Sequence, residues 1–235
     1  MGITKFLVDE EWIVRSHDAK KTGNDNNMCW AAAASNILAW TRWSSFIPRE
    51  PGQSAQAIFE TFKEELKKED SDLHFLNNQI STPNKVWEWW FDKHYNPSDL
   101  ETHYSHDPFF FGYRHEALES IRDYFQEKNS GIVIQTTRMG NSDDPTGNSH
   151  YVTCWGFDFD ETLDDDNPEK YSKIYITDSD DTPSTPQLRD YTVTKGNGNN
   201  PNYWYLMRFL GKDDYFIADI YALGSKPSDD EVAPP

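Results

Sequence analysis

Residues 28–40 read MCWAAAASNILAW, and this stretch decides how the rest of the chain is interpreted. Its apolar side chains recur at the spacing of one helix face: Trp30, Ala33, Ile37 and Trp40. The run of four alanines has the highest helix propensity of any residue type. We expect Asn26 or Asn27 to cap the helix. Cys29 is therefore predicted to lie in the first turn of a largely buried helix.

Beyond this helix, the spacing of apolar residues predicts which segments form helices and which form strands. Three more helices are predicted, at residues 54–69, 85–94 and 115–128. Later segments alternate and are rich in β-branched and aromatic residues, which predicts strands at 131–137, 151–157, 173–177, 203–209 and 216–223. Residues 3–27 are predicted to hold a short strand around 12–14 and then a polar loop. Helices followed by an antiparallel sheet indicate an α+β protein.

The charge of the chain excludes some classes of partner. The 235 residues include 22 basic and 40 acidic side chains, which gives a formal net charge of −18. Such a chain repels nucleic acid and anionic membrane surfaces. Its 9 Trp, 12 Tyr and 14 Phe are typical of a folded core rather than of disorder. We expect one folded domain at residues 1–224 and a disordered acidic, proline-rich tail at 225–235.

The two cysteines, Cys29 and Cys154, are too few for a disulfide framework and lack the spacing of zinc ligands. A thiol at a helix N-terminus feels the positive end of the helix dipole, which favours the thiolate. Cys29 is therefore either a nucleophile or a small apolar residue of a buried helix. Cys154 lies in the middle of a predicted strand and is interpreted as a buried structural thiol.

A nucleophilic cysteine needs an imidazole to share its proton and a third group to orient that imidazole. His150 ends a polar loop and begins the strand at 151–157. If that strand pairs as a hairpin with 173–177, the residue after the second strand, Asp178, returns to the side of His150. Taken alone, Asp178 is an ordinary turn aspartate. With Cys29 and His150 it completes a candidate catalytic triad.

Three segments together resemble a known family. They read GNDNNMCWAAAASNILAW at 23–40, GNSHYVTCWGFDFD at 147–160 and KIYITDSDD at 173–181. In content and order they resemble the IdeS/Mac family of secreted, immunoglobulin-degrading cysteine endopeptidases. Residues 118–135 also have a counterpart in that family, whereas residues 46–112 show no similarity to it.

The resemblance implies a fold and a catalytic triad. The implied fold is papain-like, with a helical part that carries the nucleophile at a helix N-terminus and packs on an antiparallel β-sheet. Cys29 matches the family's nucleophile, His150 its general base and Asp178 the residue that orients the imidazole. Asp180 matches a second aspartate near that site.

The resemblance also implies an oxyanion donor, because the family uses a lysine upstream of the nucleophile. Lys21 is the best match if two residues are missing before Gly23, and Lys20 is the alternative. No metal or organic cofactor is expected. The acidic stretch at 158–166 lacks the glycine and terminal glutamate of an EF-hand loop, so it is interpreted as a solvated hairpin tip.

The expected function is that of a secreted cysteine endopeptidase, a hydrolase whose partner is its protein substrate. The resemblance implies that the substrate is an immunoglobulin heavy chain and that cleavage is of the IgG hinge type. Two alternatives stay open. The same residues could serve another acyl acceptor or an isopeptide substrate. The chain could instead be a non-catalytic module that binds an immunoglobulin or another host protein, with Cys29 inert.

Overall fold

The computed structural model describes residues 2–8, 19–21, 25, 27–44, 54–68, 72, 82–108, 117–139, 145–165, 167–180, 187–196 and 203–227. The helices in this part of the chain are α1 (Cys29–Trp40), α2 (Ser54–Leu66), α3 (Pro83–His94), α4 (Pro97–His103) and α5 (Ala117–Gln126). The strands are β1 (Ile3–Leu7), β2 (Tyr104–Pro108), β3 (Ser130–Met139), β4 (Pro145–Asp160), β5 (Tyr171–Thr177), β6 (Arg189–Lys195), β7 (Trp204–Leu206) and β8 (Tyr215–Gly224).

The prediction of a papain-like fold with helices packed on an antiparallel sheet is wrong. Strands β4, β3, β8, β7, β6 and β5 pair in that order, and β5 pairs back to β4. The result is a closed, six-stranded antiparallel β-barrel. Strand β1 adds to β4, and β2 adds to β8. The described chain is therefore mostly β.

The barrel closes because the long strand β4 pairs along both of its edges. On one edge, its first part pairs with β3 as far as Cys154, and β1 pairs with the part that follows. On the other edge it pairs with β5 from Thr153 onward, and a bulge interrupts this register between Cys154 and Gly156. A bulge bends and twists a strand, so β4 curves where it begins to pair with β5. The alternation of side chains in a sequence does not specify such a second pairing.

Helix α1 packs against the outside of the barrel and is buried along nearly its whole length, from Cys29 to Ala39. At Gly131, on β3, a Cβ atom would lie 2.9 Å from the side chain of Ile37. The absence of a side chain there allows α1 to approach the barrel closely. Because α1 packs closely against the barrel, the position of its N-terminus, where Cys29 lies, is fixed.

Most predicted elements are confirmed, with changed boundaries, whereas α4, β1, β2 and β6 were not predicted. The N-cap of α1 is Met28, with no side-chain hydrogen bond, so the predicted asparagine cap is wrong. The strand predicted around residues 12–14 lies outside the described residues, as does most of the predicted tail. Among the residues that are described, no helix combines the length and apolar character needed to cross a membrane.

Candidate active site

Three parts of the fold bring the candidate residues together at one end of the barrel. Cys29 is the first residue of α1, His150 lies on β4, and Asp178 directly follows β5. The predicted hairpin of β4 and β5 is confirmed, with Thr153 opposite Thr177. The loop before α1 is held by a backbone hydrogen bond from Met28 N to Asp25 O, at 3.0 Å.

The imidazole of His150 is oriented by Asp178. The Nε2 atom of His150 lies 2.8 Å from Oδ1 of Asp178. The same carboxylate oxygen accepts a hydrogen bond from the backbone N–H of Asp180, at 2.9 Å. On the neighbouring strand, the Thr136 hydroxyl donates to the backbone carbonyl of His150, at 3.1 Å. Both partners of the His150–Asp178 pair are therefore held in place.

The thiol of Cys29 is hydrogen-bonded to His150. Because Nε2 of the imidazole is bonded to Asp178, Nδ1 is the ring nitrogen that can share the thiol proton. Burial raises the pKa of Cys29, but the hydrogen bond and the charge of His150 outweigh it, so the pKa lies below its ordinary value. The backbone N–H of Tyr151 adds a second hydrogen bond to the sulfur. This arrangement favours a thiolate.

The other two members of the triad are shifted in the complementary directions. Burial lowers the pKa of His150, but hydrogen bonds to Asp178 and Cys29 outweigh burial and raise it to about 10. Burial raises the pKa of Asp178, yet the hydrogen bond and charge of His150 bring it below its ordinary value. These shifts favour the thiolate of Cys29, the imidazolium of His150 and the carboxylate of Asp178.

Lys21 lies at the edge of this triad. Its side chain is only 6% exposed and forms an ion pair with the half-exposed Asp180. Its charge contributes to the lowered pKa of both Cys29 and Asp178. The second carboxylate oxygen of Asp180 lies 3.8 Å from Nδ1 of His150. Lys21 and Asp180 thus belong to the same charged cluster as the triad.

Lys21 reaches the site because three distant parts of the chain hold its segment. The backbone N–H of Ala19 donates to the Asn36 side chain of α1, at 2.7 Å. The backbone N–H of Lys20 donates to the Gln56 side chain of α2, also at 2.7 Å. The backbone N–H of Lys21 donates to the Ser179 carbonyl, at 3.4 Å. This last contact places Lys21 beside the turn that carries Asp178.

The charged cluster also contains side chains of the types that ligate metal ions. His150, Asp178 and Asp180 each offer one ligand atom, and these atoms all lie within 4.8 Å of one another. Lys21 already places its ammonium group on Asp180. The raised pKa of His150 also keeps its ring protonated, whereas a metal ligand must be neutral. Lysine and proton therefore compete directly with any metal at these residues.

Cys154 lies in a different environment. It is fully buried in the barrel interior, and burial raises its pKa to about 12. The structure leaves both cysteines as free thiols. The location of Cys154 therefore agrees with the interpretation of a structural thiol.

Sequence reasoning missed several residues that support the site. Phe209 packs against the His150 imidazole, with ring centroids 6.0 Å apart. Asn36 donates from its side chain to the Thr153 hydroxyl, at 3.0 Å, and so joins α1 to β4. The Trp155 indole N–H donates to the Thr177 hydroxyl, at 2.9 Å, and so joins β4 to β5. An asparagine inside an alanine-rich helix was the one signal that could have indicated such a contact.

Comparison with known proteins gives no family for the chain. No protein-family model matches it, and no curated protein matches it significantly.

Proposed function

We propose that this protein is a cysteine endopeptidase in which Cys29 is the nucleophile. The observation that carries the proposal is the continuous hydrogen-bonded connection from Cys29 through His150 to Asp178. The lowered pKa of the thiol and the raised pKa of the imidazole favour a thiolate–imidazolium ion pair. Such a pair supplies both a nucleophile and a general acid.

In the first half of the reaction, the Cys29 thiolate attacks the carbonyl carbon of the scissile peptide bond. The backbone N–H of Cys29, at the start of α1, and the ammonium group of Lys21 stabilise the oxyanion that forms. Each donor of this kind contributes about 3 kcal/mol to the transition state. His150 then donates its proton to the leaving amine, and a thioester remains on Cys29.

In the second half, His150 is neutral and accepts a proton from a water molecule. The resulting hydroxide attacks the thioester carbonyl, and the Cys29 thiolate leaves as the product carboxylate forms. Asp178 keeps Nε2 of His150 engaged throughout, so that the other ring nitrogen faces the reacting atoms. The cycle ends with the imidazolium and the thiolate restored.

The proposed substrate is an immunoglobulin heavy chain, and the proposed place of action is outside the cell. Both follow from the resemblance of the segments around Cys29, His150 and Asp178 to the IdeS/Mac family. Those segments are short and carry the proposed catalytic residues, so the resemblance supports a shared catalytic mechanism. The choice of immunoglobulin class depends on contacts beyond them.

The test is incubation of the protein with IgG, IgM and IgA, followed by gel electrophoresis and mass spectrometry of the fragments. Cys29→Ala is the matched control. We expect heavy-chain fragments with the wild type and none with Cys29→Ala. Co-elution of intact immunoglobulin with both proteins would support a binding module instead. Cleavage of an isopeptide-linked conjugate without heavy-chain fragments would support the alternative enzyme.

A further inference from the structure

An exposed apolar side chain follows directly after a residue that packs on the candidate active site. It belongs to residues 207–214, the turn between β7 and β8. Phe209 in this turn is fully buried and packs against the His150 imidazole. The next residue, Leu210, is 48% exposed. Among the described residues, the other exposed large apolar side chain is Ile3, at the far end of β4 from His150.

The backbone of Leu210 is strained. Its φ is +49°, in the left-handed region that bulky residues rarely adopt. Within the described chain, three other non-glycine residues share a positive φ: Arg42, Asn129 and Arg208. Arg42 follows the end of α1, where this conformation is common, and asparagine tolerates it. Arg208 lies in the same turn as Leu210. The two positive φ values without a local explanation therefore both occur in the turn that carries Phe209, whose ring packs on His150.

The turn is held rigidly in this conformation. Its hydrogen bonds include Arg208 N to Asp213 Oδ1 at 2.7 Å, Gly211 N to Arg208 O at 3.0 Å and Lys212 N to Phe209 O at 3.0 Å. The Phe209 ring is also packed between Tyr191 and Tyr215, with centroids 5.3 Å from each. Strained residues of this kind persist where the surrounding structure fixes them, and they concentrate at functional sites.

We infer that Leu210 is a specificity-determining residue that contacts an apolar side chain of the protein substrate close to the scissile bond. This inference rests on the proposed endopeptidase function. Leu210 directly follows the residue that packs on the general base, so a peptide bound across Cys29 and His150 passes near it. An apolar contact at that place favours an aliphatic or aromatic substrate residue over a charged one.

The experiment is digestion of a mixture of peptides derived from a whole proteome, with cleavage sites identified by mass spectrometry. We expect sites of the wild type to be enriched in apolar residues at one fixed position near the cut. Leu210→Asp should abolish that enrichment and favour Lys and Arg at the same position, with about a tenfold change in preference. Ile3→Asp, at the other exposed apolar residue, should leave the preference unchanged.

Leu210→Gly separates contact from strain. Glycine adopts a positive φ without strain, so the melting temperature should stay the same or rise while the apolar preference is lost. A purely structural Leu210 predicts the opposite, a preference that survives in Leu210→Gly. The inference is also overturned if the wild type shows no apolar preference, or if Leu210→Asp keeps it.

Failure of the proposed function gives a different result. In that case the wild type and Cys29→Ala would leave the peptides and also IgG, IgM and IgA equally uncut, whatever residue stands at position 210. Cleavage that depends on Cys29 but is indifferent to Leu210 would overturn only the inference about specificity.

Discussion

Cys29 lies at the start of α1 and Cys154 in the interior of the barrel. These two environments shift the pKa of the thiol in opposite directions. Both Cys29 and Cys154 are buried, so burial raises the pKa in each case. Cys29 also has an imidazole, a backbone N–H and a nearby lysine, and its pKa ends below the ordinary value. Among the described residues, the Cys154 thiol donates to the Gly156 carbonyl, 3.8 Å away, and burial raises its pKa to about 12. Charged neighbours, more than burial, separate a reactive thiol from a structural one.

The largest expected effect is the contrast between Cys29→Ala and Cys154→Ala. Removal of the nucleophile should lower kcat for protein cleavage by about 10⁶-fold, since the other triad members cannot act without it. Cys154→Ala should leave kcat nearly unchanged and reduce the free energy of unfolding by about 1 to 2 kcal/mol, because it leaves a small cavity. Cleavage assays and urea unfolding of both variants check this. Equal loss of activity in the two variants would contradict the comparison.

The next effect concerns the group that orients the imidazole. Asp178→Asn keeps the shape of the side chain but removes the charge that raises the pKa of His150. We expect kcat to fall by about 10³ to 10⁴-fold, as in other triads that lose this carboxylate. The alkylation rate of Cys29 near pH 6 should also fall, because a weaker imidazolium stabilises the thiolate less. A variant with wild-type kcat would show that Asp178 is an ordinary turn residue.

A smaller effect is expected at the oxyanion site. Lys21→Met removes one charged donor and should reduce kcat by about 10² to 10³-fold with little change in KM. Lys20→Met is the matched control. Lys20 is also partly buried, but the lysine whose charge lowers the pKa of Cys29 is Lys21. We expect its kcat to stay within about threefold of wild type. A larger loss in Lys20→Met than in Lys21→Met would reverse the assignment.

The sequence predicted those parts of the site that depend on local pattern. Helix α1 follows from the spacing of its apolar residues, and the start of the helix at Cys29 follows with it. The placement of Asp178 beside His150 needed only one hairpin, between neighbouring strands in the chain. Both predictions concern contacts that a single element or one short connection determines.

The closed barrel could not be predicted in this way. It depends on β4 pairing with β3 on one edge and with β5 on the other, near the bulge at Gly156, and on the choice of β8 as the second neighbour of β3. β6 was missed because it alternates between exposed and half-buried residues, with only Val193 buried. The position of Lys21 likewise depends on Asn36, Gln56 and Ser179, which lie far away in the sequence.

The smallest expected effect is on the pH dependence of stability. Relative to the ordinary values of 9.0 for the thiol and 6.5 for the imidazole, the folded protein lowers the first and raises the second. Above pH 9.0 the folded state holds one extra proton, on His150, and stability falls as pH rises through about 10.

His150→Gln should remove that alkaline loss when it is made together with Cys29→Ala, because burial would otherwise raise the pKa of Cys29 and replace one titration by another. Urea unfolding of the wild type and the variant between pH 7 and pH 11 measures it. An identical slope in both proteins would show that the proton on His150 does not contribute to stability in that range.

The most direct test of the central claim is the pH profile of alkylation by iodoacetamide, followed at each cysteine by mass spectrometry of the native protein. We expect rapid labelling of Cys29 near pH 6, because His150 keeps the sulfur ionised there, and no labelling of Cys154. His150→Gln should move the Cys29 profile to higher pH. Slow and equal labelling of both cysteines, with a profile that His150→Gln does not change, would contradict the account.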